Sequence, residues 1–376
     1  MSTTSWRVAV LFGGPSPEHD VSVLTGLQAA RALVDDAAIS EVHALYWSKS
    51  GSWFEVIPAL EASAFIDGPP SGARPLEFVV SPGGGFTPKG GRLGVRPKAI
   101  ALDAAIVCCH GGPGEDGSLQ GALDCAEIHY TGPTAAAAAL GMDKLATTAV
   151  LQSAGIPVLS RQALTEDSAE PVFPGPYIVK PRFGGSSIGI DVVKDFSTAV
   201  GRLGTNPHLR RGAVIEPYRD DLYDLQVAVR TFPEFRLSAI ERPLVHDETA
   251  EILDYADKYA GGEGMLSAPR ELPAKIDRAV ETELRRIAKT SAELLGARGV
   301  NRIDFLSDGR SIYVNEINTI PGSLARHLFI EPVVAFGTLL LDLVREAIER
   351  PAMTFSSAGA DGSVLREAGN IAAKLA

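Results

Sequence analysis

The chain has 376 residues, 45% hydrophobic and 22% charged, with a net charge of −11 and a pI of about 5.2. This is the composition of a globular protein, and its length predicts two or three domains of ~100–200 residues. The acidic balance argues against nucleic acid or a membrane surface as a partner, and no run approaches the ~20 apolar residues of a membrane-spanning helix.

The first stretch, "MSTTSWRVAVLFGG", has no basic leader, and its apolar run is too short for a signal peptide. "RVAVLFGG" is a β-rich run ending in two glycines. The helical "EHDVSVLTGLQAARAL" follows it, with Val21, Leu24, Ala29 and Leu33 near one face. A strand passing through Gly-Gly into a helix opens a doubly wound α/β domain. "EVHALYW" is a second strand, and residues 66–96, rich in Pro and Gly, are expected to form an excursion or flap. "AIALDAAIVCCHG" is a buried strand and "SLQGALDCAE" a helix. Cys108 and Cys109 are adjacent and, with Cys125, read as thiols, not as a disulfide framework or zinc site. A reducing, cytoplasmic setting fits.

From Thr134 onward "MDKLATTAVLQSAG" is helical as far as Gly155, and the poly-alanine run Ala135–Ala139 suits a tightly packed helix. "YIVKP", "GIDVV" and "RGAVIEPY" are strands. Farther on, "LYDLQVAVRTF" and "RLSAIERPLV" are strands, and a polar, Gly-rich segment (249–270) reads as a long loop of the kind that is usually functional or disordered. "AKIDRAVETELRRIAKTSAELLG" is an amphipathic helix with Ile276, Val280, Leu284, Ile287 and Leu294 in helical period and Gly296 as its stop. "VNRIDFL" and "SIYVNEIN" form a hairpin, and a last helix lies near Ile330–Glu349.

Three constellations carry chemistry. Arg302 and Asp304 are two apart on one strand of the hairpin, as are Glu316 and Asn318 on the other, so each pair shares a face. A two-residue Asp-Gly turn would put the pairs on opposite faces. A three-residue loop, Ser307-Asp308-Gly309, pairs Leu306 with Arg310 and brings all four together. Two carboxylates and an amide oxygen suit Mg²⁺, and the arginine suits an anionic transition state, although a solvated, salt-bridged sheet face would carry the same residues. "KPRFGGSSIGI" places Lys180 before a Gly-Ser run. It is either a plain hairpin turn or a flap whose N–H groups cradle an anion, with Lys144 of "GMDK" as a second phosphate cation. Glu216 and Tyr218 of "VIEPY" could meet an adenine, or merely end a charged strand. Glu18, at a helix start capped by Ser16, could bind an ammonium group. Glu115 and Asp116 sit in a Gly-rich loop where they would also stabilise a helix N-terminus.

In order, "GGPSPEHDVS", "HGGPGEDGSLQGALD", "YTGPTAAAAALGMDK", "YIVKPRFGGSSIG", "DYADKY", "NRIDF" and "NEINTIPG" resemble the D-alanine:D-alanine ligase family of the ATP-grasp superfamily, from about Arg7 to about Glu349. The resemblance implies an α/β ATP-grasp ligase in three regions. These are an N-terminal Rossmann-like (pre-ATP-grasp) substrate domain at 1–133, a central subdomain with the flap at 134–218, and a C-terminal subdomain at 219–350 with the metal site and long loop. A loosely held tail, 351–376, follows.

It also implies residue roles. Lys144, Lys180 and Ser187 hold ATP phosphates under a flap of Gly184–Gly189, with Lys258 reaching the transferred phosphate. Glu216 and Tyr218 meet adenine, and Asp224 stands where a ribose-binding glutamate is usual. Asp304, Glu316 and Asn318 bind two Mg²⁺ (or Mn²⁺) ions. Arg302 and the Gly322 amide stabilise the oxyanion. Glu18 binds the first amino group in a network with Ser186 and Tyr259, and His110 and Glu115 help bind substrate. After "NTIPG" the chain departs from the family: "SLARHLF" puts His327 at the place of a serine that binds the second carboxylate, with Arg326 beside it. Those two are the expected readers of the acceptor. The implied protein is a cytoplasmic homodimer acting on ATP and amino acids, D-alanine in particular, for the cell wall. A paralogue with another acceptor, and a non-catalytic nucleotide-binding regulator, are the other readings.

Overall fold

A computed structural model describes residues 5–90, 97–244 and 269–369. The N-terminal sheet contains β1 (Trp6–Gly13), β2 (Ile39–Trp47), β3 (Trp53–Val56), β4 (Arg74–Val79), β5 (Gly85–Pro88) and β6 (Ala104–Val107), in the order β5-β4-β3-β2-β1-β6. β1 runs parallel to β2 and β6. Both faces of a parallel centre are covered, and Val8 to Phe12 are accordingly all fully buried. At the end of β1, Gly13 has φ +88° and its α-carbon lies so close to Trp47 that a side chain would strike the Trp47 carbonyl at 2.3 Å. The helix His19–Leu33 covers one face through Val23, Leu27, Ala30 and Leu33. Leu24, expected on that stripe, is exposed, because it lies about 100° round the helix from Val23.

The Pro- and Gly-rich stretch expected as an excursion instead extends this sheet. β3, β4 and β5 add antiparallel strands, held by Phe78 stacked on Phe86 at 4.5 Å and Trp53 edge-on to Phe86 at 4.9 Å. Aromatic payload, not backbone propensity, makes strands of this segment.

The second sheet, β7 (Gln162–Leu164), β8 (Tyr177–Pro181), β9 (Asp191–Val193) and β10 (Ala213–Pro217), is antiparallel in the order β7-β10-β8-β9. It has its own small core around Tyr177, Val179, Leu209 and Ile215. The third sheet is β11 (Tyr223–Arg230), β12 (Arg236–Pro243), β13 (Arg270–Glu271), β14 (Val300–Ser307) and β15 (Ile312–Asn318), in the order β13-β12-β11-β14-β15. The helix Arg278–Leu295 packs on it through Val280, Leu284, Ile287 and Leu295 and ends at a left-handed Gly296. Leu294 points outward, 39% exposed.

Packing crosses two of the boundaries expected from sequence. The helices Ala135–Met142 and Lys144–Ser153 bury Ala137 and Leu151 in the core of the third sheet, not the second. The last helix, Phe336–Glu349, buries Leu339, Leu340, Leu343 and Val344 in the N-terminal core. Arg298 donates to the carbonyls of Tyr130 (2.8 Å), Gly132 (2.7 Å) and Arg350 (3.0 Å), tying the first and third regions together. The second sheet thus stands apart, and the cleft opens between it and the third.

Candidate active site

The β14–β15 hairpin is the floor of the cleft. Its loop is not the three residues expected. Ser307 pairs with Ile312, so Asp308–Ser311 form the turn, and that register alone would set Glu316 and Asp304 on opposite faces. A bulge between Asp304 and Phe305, opposite the extra residue Asn315, restores the alignment: Asp304 pairs with Glu316 and Arg302 with Asn318. The shared face is therefore real, by a different route. Arg302 donates Nε and Nη2 to the two Asp304 oxygens at 2.7 Å each, and Asn318 Nδ2 donates to Asp304 Oδ2 at 3.0 Å. Among the described residues no three His, Cys, Asp or Glu side chains are grouped for a metal. An ion here would rest on Asp304, Glu316, the Asn318 amide oxygen and substrate oxygens. That hard, ligand-poor set fits Mg²⁺, which keeps part of its shell for phosphates.

Above the hairpin lies a cleft of about 520 Å³ lined by Lys144, Lys180, Gly184, Ser187, Glu216, Tyr218, Asp224, Asp304 and Glu316, among others. Lys144 begins a helix whose cap is Asp143, accepting from Leu145 N at 3.0 Å and held by Arg182 Nε at 2.8 Å. Its ammonium donates to the Gly184 carbonyl of the flap and lies 3.5 Å from Glu316. Ser186 and Ser187 both have φ in the left-handed region (53° and 58°), uncommon for residues that carry a side chain. Glu216 does not present a free carboxylate to a base. It is 1% exposed; Oε1 takes the Lys180 ammonium and Oε2 takes Arg161, at 2.9 Å from Nε and 2.8 Å from Nη2. Burial alone would raise its pKa, but Lys180 and Arg161 outweigh it and hold the carboxyl below its usual range. Burial pulls Lys180 down to about 8, against the attraction of Glu216 and with the repulsion of Arg161 and Lys144.

A second, much smaller pocket of about 10 Å³ adjoins the hairpin and is lined by Glu18, His110, Glu115, Ser186, Arg302, Asn318 and Gly322, among others. Ser186 Oγ donates to Glu18, joining the flap to the N-terminal helix start. His110 is fully engaged, with Nδ1 2.7 Å from the Ile320 carbonyl and Nε2 2.8 Å from Thr25 Oγ1, and burial lowers its pKa to about 4. Glu115 accepts from the amides of Gly111 and Ile320, both at 2.9 Å, and from Thr319 Oγ1 at 3.2 Å. Burial first, and the charge of Glu18 second, push it up to about 7. His110 and Glu115, expected to contact substrate, thus spend these bonds fastening the strand exit at 319–320, which aims Gly322 at the pocket.

The two residues expected to read the acceptor go elsewhere. The Arg326 guanidinium lies over the Phe336 ring at 4.8 Å, and His327 Nε2 is 3.1 Å from Glu241 Oε2; neither lines either cavity. Glu241 also takes Arg270 at 2.9 Å and Gln226 at 2.6 Å, a buried cluster that draws the histidine inward. Ser323, Leu324 and Ala325 just before it all have positive φ, a left-handed turn that carries the chain away from the pocket. Lys258 and Tyr259 lie outside the described residues, as does most of the 249–270 loop. Arg161, which braces Glu216, was not picked out from sequence: "LSRQAL" matches no motif. The bulge did leave a signal, since buried Val314 and Ile317 are three apart, an odd spacing that a regular strand cannot place on one face.

Family models and known proteins match most of the chain. Residues 7–133 match the family described as D-ala D-ala ligase N-terminus, and residues 146–349 match D-ala D-ala ligase C-terminus. A D-alanine–D-alanine ligase of Pelodictyon phaeoclathratiforme is 31% identical over 91% of this chain and 96% of its own. One from Mycolicibacterium smegmatis is 31% identical over 92% and 96%. The crystal structure of the D-alanine–D-alanine ligase from Helicobacter pylori superposes with a TM-score of 0.70 at 26% identity, over 93% of this chain and 100% of that one. A D-Ala:D-Ser ligase from Enterococcus faecalis, at 22% identity over 91% of this chain and 99% of its own (TM-score 0.71), shares the fold.

Proposed function

Since the chain belongs to the D-alanine–D-alanine ligase family, we propose that its two cavities divide one ATP-dependent ligation between them. The protein is an ATP-grasp ligase that joins two molecules of D-alanine for peptidoglycan synthesis. What carries the division of labour is the position of the Arg302–Asp304–Glu316–Asn318 row, which borders both the lysine-lined cleft and the Glu18 pocket.

In this reading ATP lies in the cleft. Lys144, Lys180 and Ser187 hold its phosphates, and the flap closes over them with Lys258. Tyr218 and the Glu216 region meet adenine, and Asp224 meets the ribose. Asp304, Glu316 and Asn318 would hold two Mg²⁺ or Mn²⁺ ions, which supply charge neutralisation for the polyphosphate. The first D-alanine widens the small pocket as it enters, with its ammonium on Glu18, kept in place by Ser186 and Tyr259. Its carboxylate oxygen attacks the γ-phosphorus, the bond to the β-γ bridging oxygen breaks, and ADP leaves an acyl phosphate. The amine of the second D-alanine then attacks the acyl carbon, and the tetrahedral oxyanion faces Arg302 and the Gly322 N–H. Collapse expels phosphate, which carries off the amine proton, and leaves the dipeptide. Such chemistry needs positioning and charge neutralisation more than a protein nucleophile. With Arg326 and His327 turned away, the second carboxylate is left to Arg302 and the Gly322 turn.

We place the enzyme in the cytoplasm as a homodimer. Free thiols at Cys108, Cys109 and Cys125 suit a reducing compartment, and no helix among the described residues is long and apolar enough to cross a membrane. The test is ADP release with a panel of D- and L-amino acids, with products read by mass. Turnover with D-alanine alone, giving its dipeptide, supports the reading. Turnover that requires a second, different amino acid would assign the chain to a paralogous ligase. No amino-acid-dependent ADP release at all would leave a nucleotide-binding regulator.

A further inference from the structure

We propose that Arg161 is a positioning residue of the nucleotide site: by neutralising Glu216 from behind, it leaves Lys180 available to the phosphates. This rests on the reading of the larger cleft as the nucleotide site.

Glu216 carries one negative charge and is met by two cations on separate oxygens, Lys180 on Oε1 and Arg161 on Oε2. The two cations are not equivalent. Lys180 lines the cleft and sits on a flexible four-carbon stem, so it can swing from Glu216 to a ligand. Arg161 does not line the cleft, its side chain is 4% exposed, and its planar fork is fully spoken for. Nη1 donates to the Lys144 carbonyl at 3.1 Å and to Thr148 Oγ1 at 2.9 Å, and Nη2 to the Asn315 carbonyl at 3.2 Å. Arg161 therefore stays where it is, whatever enters the cleft.

The consequence follows from the cost of an unpaired buried charge. With Lys180 as sole partner, turning that lysine toward a phosphate would strand the Glu216 carboxylate in the interior, which is strongly unfavourable. With Arg161 in place, Glu216 keeps a charge-assisted partner and Lys180 can leave at little cost. The arrangement holds one cation in excess, beside Lys144, and the chemistry that completes it is a polyphosphate. The lowered pKa of Lys180 agrees, since the attraction of an anion in the cleft would offset the burial and the repulsion that lower it. Through Asn315 the same guanidinium also holds the bulge that brings Glu316 opposite Asp304.

The test separates phosphate binding from nucleoside binding on the full-length enzyme, without amino acid. Dissociation constants for Mg²⁺–AMP-PNP and for adenosine are measured by competition for wild type, Arg161→Met and Arg161→Met/Glu216→Gln. Arg161→Met should weaken AMP-PNP by about tenfold or more while adenosine changes by less than about threefold. Removing the stranded anion in the double variant should restore most of the AMP-PNP preference over adenosine. Equal weakening of both ligands in Arg161→Met, or a double variant that recovers no preference, would overturn the proposal, since an arginine that merely holds the fold predicts the first and one that merely holds the bulge predicts the second. Should Arg161→Met not fold, Arg161→Gln, which keeps amide donors for the carbonyls but no charge, carries the same comparison. Failure of wild type to bind AMP-PNP would instead remove the nucleotide reading itself.

Discussion

Glu216 and Glu115 are both buried glutamates, one at the cleft proposed for the nucleotide and one at the pocket proposed for the amino acid, and their protons go opposite ways. Glu216 is 1% exposed and Glu115 6%. Glu216 is gripped by Lys180 and Arg161 and stays ionised. Glu115 meets only two amides and a hydroxyl, with the Glu18 carboxylate nearby, and rises to about 7. Burial is common to both; the difference is the charge of the neighbours. The larger cleft thus has two buried cations on one buried carboxylate, whereas the smaller pocket has a buried carboxyl held by neutral donors beside Glu18 and the Arg302–Asp304 pair.

This contrast can be broken at several points. The largest effect is expected at the row between the two cavities: Glu316→Gln should lower kcat/KM on the order of 10²–10³-fold, because charge stabilisation of the phosphoryl group is lost. Thermal unfolding should barely move, and a similar loss of fold would remove the assignment. Next, Glu216→Gln leaves Lys180 and Arg161 buried without their anion and should cost ~3–5 kcal/mol in denaturant unfolding. A cost below ~1 kcal/mol would mean water reaches that cluster.

Glu115 provides the opposite sign. Its folded pKa is above the unfolded one, so the folded state binds the extra proton, and stability falls as pH rises through about 7. Wild type should therefore lose stability relative to Glu115→Gln between pH ~4.5 and ~7, by up to ~3 kcal/mol. A flat difference across that range would show that the two amides hold the carboxylate charged. A smaller effect is expected at Glu18: Ser186→Ala removes a hydrogen bond to a charged group, so KM for the first amino acid should rise about tenfold with KM for ATP unchanged. Smallest of all, Arg326→Ala should alter KM for the second amino acid by less than about twofold, since its guanidinium rests on Phe336. A larger rise would return it to the acceptor site.

Local periodicity determined much from sequence alone. The two-residue spacing of Arg302 with Asp304 and of Glu316 with Asn318 places each pair on one face whatever the partner strand does. Gly296 stops its helix because it takes a left-handed φ at no cost, and the Lys-Pro-x-x-Gly-Gly-Ser-Ser run marks a pliable loop after a strand. Tertiary structure decided what those faces meet. Whether the hairpin pairs agree depended on a bulge that no turn rule gives. The partners these side chains meet are far apart in sequence: 55 residues for Arg161 and Glu216, 86 for His327 and Glu241, 168 for Ser186 and Glu18, and 205 for Ile320 and Glu115. A residue's type and spacing follow from its immediate neighbours along the chain. Its protonation, its free oxygen and the direction it points depend on charges brought close only by folding.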